Sequence, residues 1–340
     1  MNSGLRAFAL AAMMAATGLA LAAPDKVFVA EEGSDRVSIL DAASFKPIGA
    51  VPVGREPHNV QVSPDGKLAW VTNNGEQTMQ GMGKGEGGHA AMKSGGEVWA
   101  IDTASYAVAA RVPVGKHPAH VVLTPDGRFA YVTNGGENTV SVVDTEARKV
   151  VATIPVGAYP HGIRISPDGK EAYVANLKGG TVSVIDTGAR KEVAQIPVGK
   201  GPAQTGFAPD GRLAFVSLSQ ENRVALIDPA TRKVVKTIGV GTVPIQVYAT
   251  PDSKTLLVAN QGTRQKPGKT VSVIDLAGGK VASTVQTGPG AHGVVVDREG
   301  RYAYVTNIYE NSVSVLDVSS AKVVRNVRVG EAPNGISVTP

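Results

Sequence analysis

Short runs of alternating apolar and polar residues recur along the chain and predict β-strands. The stretch AYVTNGGENTVSVVDTEARKVVATIPVGAYPHGIRISPDG, from Ala130 to Gly169, contains four such runs separated by turn-forming residues. Val, Ile and Thr dominate the runs, and the spacing between them is that of hairpins. The Asp that ends the third run recurs every 42 residues, at Asp102, Asp144, Asp186 and Asp228. Each unit is therefore expected to form one small sheet of four antiparallel strands.

Seven copies of this unit follow an apolar N-terminal segment. Their second strands begin at Val27, Trp70, Tyr131, Tyr173, Phe215, Leu257 and Tyr304. A repeat of about 40 residues with four strands is typical of a β-propeller blade, and such sheets must stack around an axis because one alone cannot bury both faces. The chain ends on a lone first strand, Asn334 to Pro340. We expect it to complete the N-terminal blade and close an all-β, seven-bladed propeller.

The first residues have the pattern of a secretory signal peptide, predicted over 1–22. Arg6 supplies a positive charge, Ala7 to Ala22 carries none, and Ala20-Leu21-Ala22 fits a small-x-small cleavage site. The apolar run is short for a membrane span and no second one follows, although an uncleaved anchor stays open. The interpretation is a periplasmic or secreted protein with a single propeller domain over 23–340 and no transmembrane segment after cleavage.

The composition excludes several kinds of site and partner. The chain has no cysteine, so an exported form has no disulfide, no Cys-ligated zinc and no Cys-attached haem. The formal net charge is +5 and the pI is near 9.3. Because no run of Lys and Arg is present, this charge indicates solubility rather than a nucleic-acid partner.

The second strands, such as Tyr131-Val-Thr-Asn and Tyr304-Val-Thr-Asn, resemble the YVTN-type β-propeller repeat family over nearly all of the mature chain. Propellers similar to this one include surface-layer and surface-antigen proteins, lactonases, a streptogramin lyase, and haem d1 domains of nitrite reductases with their assembly factors. The resemblance implies the fold, whereas none of those activities follows from the repeat itself.

Residues that recur from copy to copy are assigned to the blade rather than to a site. One group of aspartates stands in Pro-Asp-Gly or Pro-Asp-Ser turns, where Asp caps the turn through its own backbone. These are Asp65, Asp126, Asp168, Asp210 and Asp252. A second group ends the third strands, at Asp41, Asp102, Asp144, Asp186, Asp228, Asp275 and Asp317. No catalytic residue is assigned.

Departures from the repeat gather on one face of the predicted ring. We call it the upper face; it carries the turns between second and third strands and the links between blades. The inner strands begin there with His58, His161, His292 and Asn334, beside the axial channel. Imidazole binds metals and haem and carries protons near neutral pH, so these four residues are the cofactor-binding candidates. The alternative is that the histidines only bond to backbone carbonyls at a half-wet channel mouth.

An insertion on the same face lengthens one hairpin of the second blade, since Asp41 and Asp102 are 61 residues apart instead of 42. It lies within 75–95, GEQTMQGMGKGEGGHAAMKSG, and holds every methionine that follows the signal. Thioether and imidazole ligands suit copper, above all Cu(I). The predicted metal ligands are Met79, Met82, His89, Met92, His117 and His120. A flexible hairpin tip with incidental methionines is the alternative.

Three functions follow from these features. The favoured one is a periplasmic, non-enzymatic binding propeller that holds copper or presents its upper face to a protein partner. The second is a haem d1-type cofactor carrier, or a lyase or lactonase, that uses the axial histidines with Glu56 as the only nominated carboxylate. The third is an interaction scaffold of the cell envelope. A smaller insertion around Thr263 to Lys269 is a solvated loop or a docking lip for an acidic partner.

Overall fold

Seven four-stranded antiparallel sheets surround a central channel in the computed structural model, which describes residues 25–75 and 95–340. The innermost strands of neighbouring sheets contact one another in a closed cycle, so the predicted seven-bladed propeller is confirmed. The signal peptide predicted over 1–22 lies outside the described residues. Within the described ranges, no helix has the length and apolarity needed to cross a bilayer.

The strands are short and evenly spaced. The first eight are β1 (Lys26–Glu31), β2 (Arg36–Asp41), β3 (Lys46–Pro52), β4 (Pro57–Val62), β5 (Leu68–Asn73), β6 (Glu97–Asp102), β7 (Val108–Pro113) and β8 (Pro118–Leu123). The next eight are β9 (Phe129–Asn134), β10 (Thr139–Asp144), β11 (Lys149–Pro155), β12 (Pro160–Ile165), β13 (Glu171–Asn176), β14 (Thr181–Asp186), β15 (Lys191–Pro197) and β16 (Pro202–Phe207).

The remaining strands complete the ring. They are β17 (Ala214–Leu218), β18 (Arg223–Asp228), β19 (Lys233–Gly239), β20 (Pro244–Ala249), β21 (Thr255–Gly262) and β22 (Pro267–Asp275), then β23 (Lys280–Gln286), β24 (Ala291–Val296), β25 (Tyr302–Asn307), β26 (Ser312–Asp317), β27 (Lys322–Arg328) and β28 (Pro333–Val338). Blade 1 is the sheet β28-β1-β2-β3, and blades 2 to 7 follow in chain order from the inner strand β4.

The core lies between neighbouring blades. Each second strand is buried along almost its whole length because both faces of its sheet are covered by adjacent sheets. Large side chains of these strands, Trp70, Tyr131 and Tyr304 among them, are fully buried. The Tyr131 hydroxyl donates to the Thr187 carbonyl of the next blade at 3.1 Å. Burying a side chain of Val or Phe contributes about 1.5–3 kcal/mol, so stacking rather than any single sheet stabilises the fold.

The C-terminal strand closes the ring, as predicted. β28 pairs with β1 in antiparallel register, with Val27 opposite Val338 and Val29 opposite Ile336. Glu31, fully buried, occupies the place that Asn has in five of the six other second strands. Its carboxylate accepts a hydrogen bond from the Gly330 amide at 2.6 Å and one from Arg36. Closure is therefore fixed by strand pairing and by a charged contact that reaches from β1 to the link after β27.

The repeated aspartates serve turns. The Asp168 carboxylate accepts bonds from the Ser166 hydroxyl at 2.7 Å and the Lys170 amide at 3.1 Å. The Ser166 hydroxyl is the main reason that the pKa of Asp168 lies below its ordinary value. Asp144 accepts from the Ala147 amide at 2.8 Å at the turn after β10. These contacts agree with the assignment of both aspartate groups to the blade.

The smaller insertion extends a hairpin of blade 6. Strand β21 continues to Gly262 and pairs with Pro267 at the start of β22. The Arg264 guanidinium lies over the ring of Tyr309, 5.6 Å from its centroid. The hairpin thus stands on the upper face beside blade 7, and its role as a docking lip stays a prediction.

Candidate metal centre

Four inner strands bring histidines to the upper mouth of the channel. His58 lies on β4, His120 on β8, His161 on β12 and His292 on β24. Each of these strands shifts register against its neighbour just after its first residue, as a β-bulge does. A bulge sets two residues against one and re-aims side chains. Residues at two successive positions, such as His58 and His120, can therefore face the same space.

The third residue of the repeated Tyr-Val-Thr-Asn sequence holds these bulges in place. The Thr133 hydroxyl accepts a bond from the His120 amide at 3.0 Å and donates to the His161 carbonyl at 2.6 Å. Thr72 makes the same pair of bonds one blade earlier, to the Asn59 amide and the Ala119 carbonyl. The repeat that builds each blade thus also positions the residues at the channel mouth.

Three of the histidines form a compact cluster. The Nε2 atoms of His58 and His161 are 3.2 Å apart. One ring nitrogen from each of His58, His120 and His161 lies within 4.8 Å of the others. His292 stands next to them, with its ring centroid 6.5 Å from that of His58. The four imidazoles therefore converge on one space.

Hydrogen bonds assign the protons of two rings. His161 donates from Nδ1 to the Ala203 carbonyl at 2.9 Å, so its Nε2 carries a lone pair. Asn334 donates from Nδ2 to Glu32 at 2.7 Å and to Nδ1 of His58 at 3.1 Å. His58 is then protonated on Nε2 and donates to His161. A chain of hydrogen bonds thus runs from the Glu32 carboxylate through Asn334 and two neutral imidazoles to the Ala203 carbonyl.

The other two histidines keep unpartnered nitrogens. His292 donates from Nδ1 to Oε1 of Gln261 at 3.1 Å, and Gln261 donates in turn to the Tyr309 hydroxyl at 3.0 Å. Its Nε2 is buried and has no hydrogen-bond partner among the described residues. His120 is fully buried, and within the described ranges neither of its ring nitrogens has a partner. Lone pairs without partners in a buried site are the feature expected of metal ligands.

Burial keeps all four imidazoles neutral. It lowers the pKa of His58 and of His161 from 6.5 to about 4. It lowers the pKa of His292 to about 3 and that of His120 well below the ordinary value, and the neighbouring histidines add to both effects. A low-dielectric site disfavours the charged form of a base. At neutral pH the four rings are therefore uncharged, so they place no positive charge against a cation.

The structure brings together His58, His161, His292 and Asn334, the candidates for the channel rim. It adds His120, which the sequence grouped with the methionine loop. His117 is exposed in the link between β7 and β8, with a φ of 50°. The other predicted metal ligands, Met79, Met82, His89 and Met92, lie outside the described residues.

Two contacts of the cluster escaped sequence reasoning. Glu32, in the turn after β1, is the carboxylate that reaches the histidines, with Oε2 3.8 Å from Nδ1 of His58. Glu56 instead lies in the link between β3 and β4, where its amide donates to Asp35 at 2.8 Å. Gln261 orients His292 from the lengthened β21 strand. One feature of the sequence could have indicated Glu32. The pair Glu31-Glu32 stands at the end of the second strand of blade 1, where most other blades have Asn.

The fold and the site together define a class, the seven-bladed β-propellers that carry a histidine cluster in their channel. A family model described as YNCE-like beta-propeller matches residues 82–250 and 249–339, and the chain belongs to that family. No curated protein sequence matches the chain at a significant level.

Solved structures share the fold. Hydrazine synthase from Kuenenia stuttgartiensis is 26% identical, with a TM-score of 0.70 over 83% of this chain and 89% of that one. The dihydro-heme d1 dehydrogenase NirN, in complex with DHE, is 20% identical, with a TM-score of 0.66 over 92% of this chain and 74% of that one. The periplasmic gluconolactonase PpgL from Pseudomonas aeruginosa is 19% identical, with a TM-score of 0.72 over 94% of this chain and 99% of that one.

Proposed function

We propose that this protein is a non-enzymatic metal-binding propeller of the periplasm, and that the channel histidines hold one copper ion. The observation that carries the proposal is the full burial of His120 with no hydrogen-bond partner for either ring nitrogen in the described ranges. A buried polar group without a partner costs about 1–3 kcal/mol. A bound ion would remove that cost.

The spacing of the cluster suits a metal of this size. Imidazole nitrogens bind zinc at about 2.0 Å, and two such ligands of a tetrahedral ion stand about 3.3 Å apart. The 3.2 Å between the Nε2 atoms of His58 and His161 agrees with that separation. Binding requires His58 to lose its proton from Nε2. The tautomer protonated on Nδ1 would then face Glu32, in the carboxylate–histidine–metal arrangement that orients many ligands.

The ligand set favours copper over other metals. Imidazole suits zinc, copper, iron and nickel, and copper(II) heads the order of affinity among divalent ions. The four rings bring no negative charge, so burying the single charge of Cu(I) costs less than burying a divalent ion. The predicted metal ligands of the insertion, Met79, Met82, His89 and Met92, stay a prediction, and the channel site does not depend on them.

The location is also part of the proposal. The predicted signal peptide over 1–22 supports export, and one structural relative is described as periplasmic. The chain has no cysteine, so the proposed site contains no thiol that an oxidising compartment would convert to a disulfide.

Titration of the metal-free protein with Cu(I), Cu(II) and Zn(II) tests the proposal. We expect one ion per chain and, in His120→Gln, a loss of affinity of roughly tenfold or more. Gln stands at the equivalent place in two other inner strands, as Gln204 and Gln246, so this variant should fold. His117→Gln is the matched control and should bind as the wild type does.

Binding no tighter than micromolar, or equal affinity in wild type and His120→Gln, would refute the proposal. Adding haem to the same protein tests the second candidate function, that of a haem d1-type cofactor carrier. If added haem gives a shifted absorption band that disappears in His292→Ala, the channel holds a macrocycle instead.

A further inference from the structure

A second layer of side chains lines the channel below the histidines. It consists of the fifth residue of every inner strand, and the seven members are Gln61, Val122, Arg164, Gly206, Tyr248, Val295 and Ser337. Arg164 is the one charged residue in this layer. Since the metal centre does not use it, the layer is a separate feature of the channel.

The Arg164 guanidinium has no counter-charge in the described part of the chain. It donates a hydrogen bond from Nη1 to the Ile163 carbonyl at 3.0 Å. None of the ion pairs found within 4.0 Å among the described residues includes it. Burial lowers the pKa of Arg164 from its ordinary value. Arg164 is half-buried, and a cation partly removed from water without a partner favours a bound anion.

Gly206 opens a space beside Arg164. A Cβ at this position would lie 2.4 Å from Cε2 of Phe215, so no side chain fits between Arg164 and Tyr248 on the two flanking strands. The space is a cavity of about 160 Å³ bordered by Arg164 and Tyr248. Its other walls are mainly apolar and include Phe207, Phe215 and Val247.

The cavity can be reached from the lower face, opposite the histidines. Tyr248 also borders a wider cavity of about 410 Å³ among the Pro-Asp turns at that end of the channel. Arg298 lies at this mouth and adds a positive charge. Asp297 lies beside it, but its carboxylate already accepts bonds from the amides of Arg301 and Tyr302.

We propose that Arg164 and Tyr248 bind a small organic carboxylate that enters through the lower mouth. A guanidinium offers a planar fork of donors that matches a carboxylate in two parallel bonds. The Tyr248 hydroxyl forms no hydrogen bond to any described residue and supplies a further donor. The apolar walls accommodate the hydrocarbon part of the ligand. This site does not depend on a metal ion.

Calorimetric titration of the metal-free protein with benzoate, in a zwitterionic buffer, tests the site. We expect the affinity to fall at least about tenfold in Arg164→Gln, since a charge-assisted bond is lost, and a few-fold in Tyr248→Phe. Arg212→Gln removes an exposed arginine paired with Asp210 and should leave binding unchanged. Inorganic phosphate is the comparison ligand, and phosphate binding as tight as benzoate would overturn the carboxylate assignment.

Thermal unfolding gives a second measurement that does not depend on calorimetry. Without small anions, Arg164→Met should unfold at a higher temperature than wild type, because it removes a half-buried charge that has no counter-charge. Benzoate should raise the Tm of wild type and leave that of the variant unchanged. The site is refuted if neither ligand binds, if Arg164→Gln binds benzoate as wild type does, or if benzoate raises both Tm values equally. None of these outcomes bears on the histidine cluster.

Discussion

His120 shows how one residue can depart from the repeat without disturbing the blade. At the equivalent place on β4, the Asn59 side chain accepts a bond from the Val121 amide at 3.3 Å. On β20, Gln246 accepts from the Val294 amide at 3.3 Å. His120 makes no such bond to a described residue. The imidazole therefore forms none of the hydrogen bonds by which Asn59 and Gln246 join the blades, and the proposed ligand role would give its nitrogens a partner.

The depressed pKa values predict a pH-dependent stability of the metal-free protein. A histidine with a pKa near 6.5 when unfolded and about 4 when folded, as for His58, binds more protons in the unfolded state between those values. Stability should thus rise as the pH increases from about 4 to 6.5 and level off above. For one ring the difference corresponds to about 3 kcal/mol. Urea unfolding at several pH values measures it.

The turn aspartates add little to this rise, because the pKa values of residues such as Asp168 and Asp126 lie below 3.8. Asp297 is the exception: burial raises its pKa, so its titration opposes that of the histidines. The double variant His120→Gln/His292→Gln is the control and should show a shallower rise. A stability that stays constant from pH 4 to 7 would contradict the neutral, buried state of the rings.

At the scale of the strand, a residue of the repeat sets the geometry of the site. Thr133 on β9 joins the His120 amide of its own blade to the His161 carbonyl of the next. Ser217 on β17 joins the Gln204 amide to the Ile245 carbonyl in the same way, where neither inner strand carries a histidine. The two hydroxyls have the same structural role and different neighbours.

This pair of hydroxyls allows a matched comparison. Thr133→Val leaves two buried backbone groups unpaired and should destabilise the fold by about 1–3 kcal/mol. Ser217→Ala should do the same. Because Thr133 also holds His120 and His161, we expect its variant alone to lose copper affinity, by roughly tenfold. Equal copper affinities in the two variants would show that the hydroxyl does not position the site.

The strands were predictable from sequence and the bulges were not. Alternating Val, Ile and Thr fix four strands per unit, and Pro-Asp-Gly turns fix where they reverse. The register shift on each inner strand leaves no pattern of its own, so the sequence could not show that His120 faces His58. It therefore assigned His120 to the methionine loop. Gln261 was missed for a related reason, since its place depends on the added length of β21.

At the scale of the whole molecule, the site exists only because the ring closes. Asn334 comes from the last strand and Glu32 from the turn after the first, and the bond between them is 2.7 Å long. His58, their common neighbour, lies on the inner strand of blade 2. The sequence predicted this closure, because the first blade lacks its inner strand and the chain ends on a single strand without a blade. It could not give the width of the channel, which decides whether rings on separate blades can share one ion.

Copper K-edge X-ray absorption of the protein loaded with one Cu(I) per chain tests the central claim most directly. We predict a shell of nitrogen at about 2.0 Å with the outer scattering of imidazole rings, unchanged in the Met79→Ala/Met82→Ala/Met92→Ala triple variant and reduced in amplitude in His120→Gln. A sulfur shell near 2.3 Å that disappears in the triple variant, with His120→Gln unaffected, would contradict it.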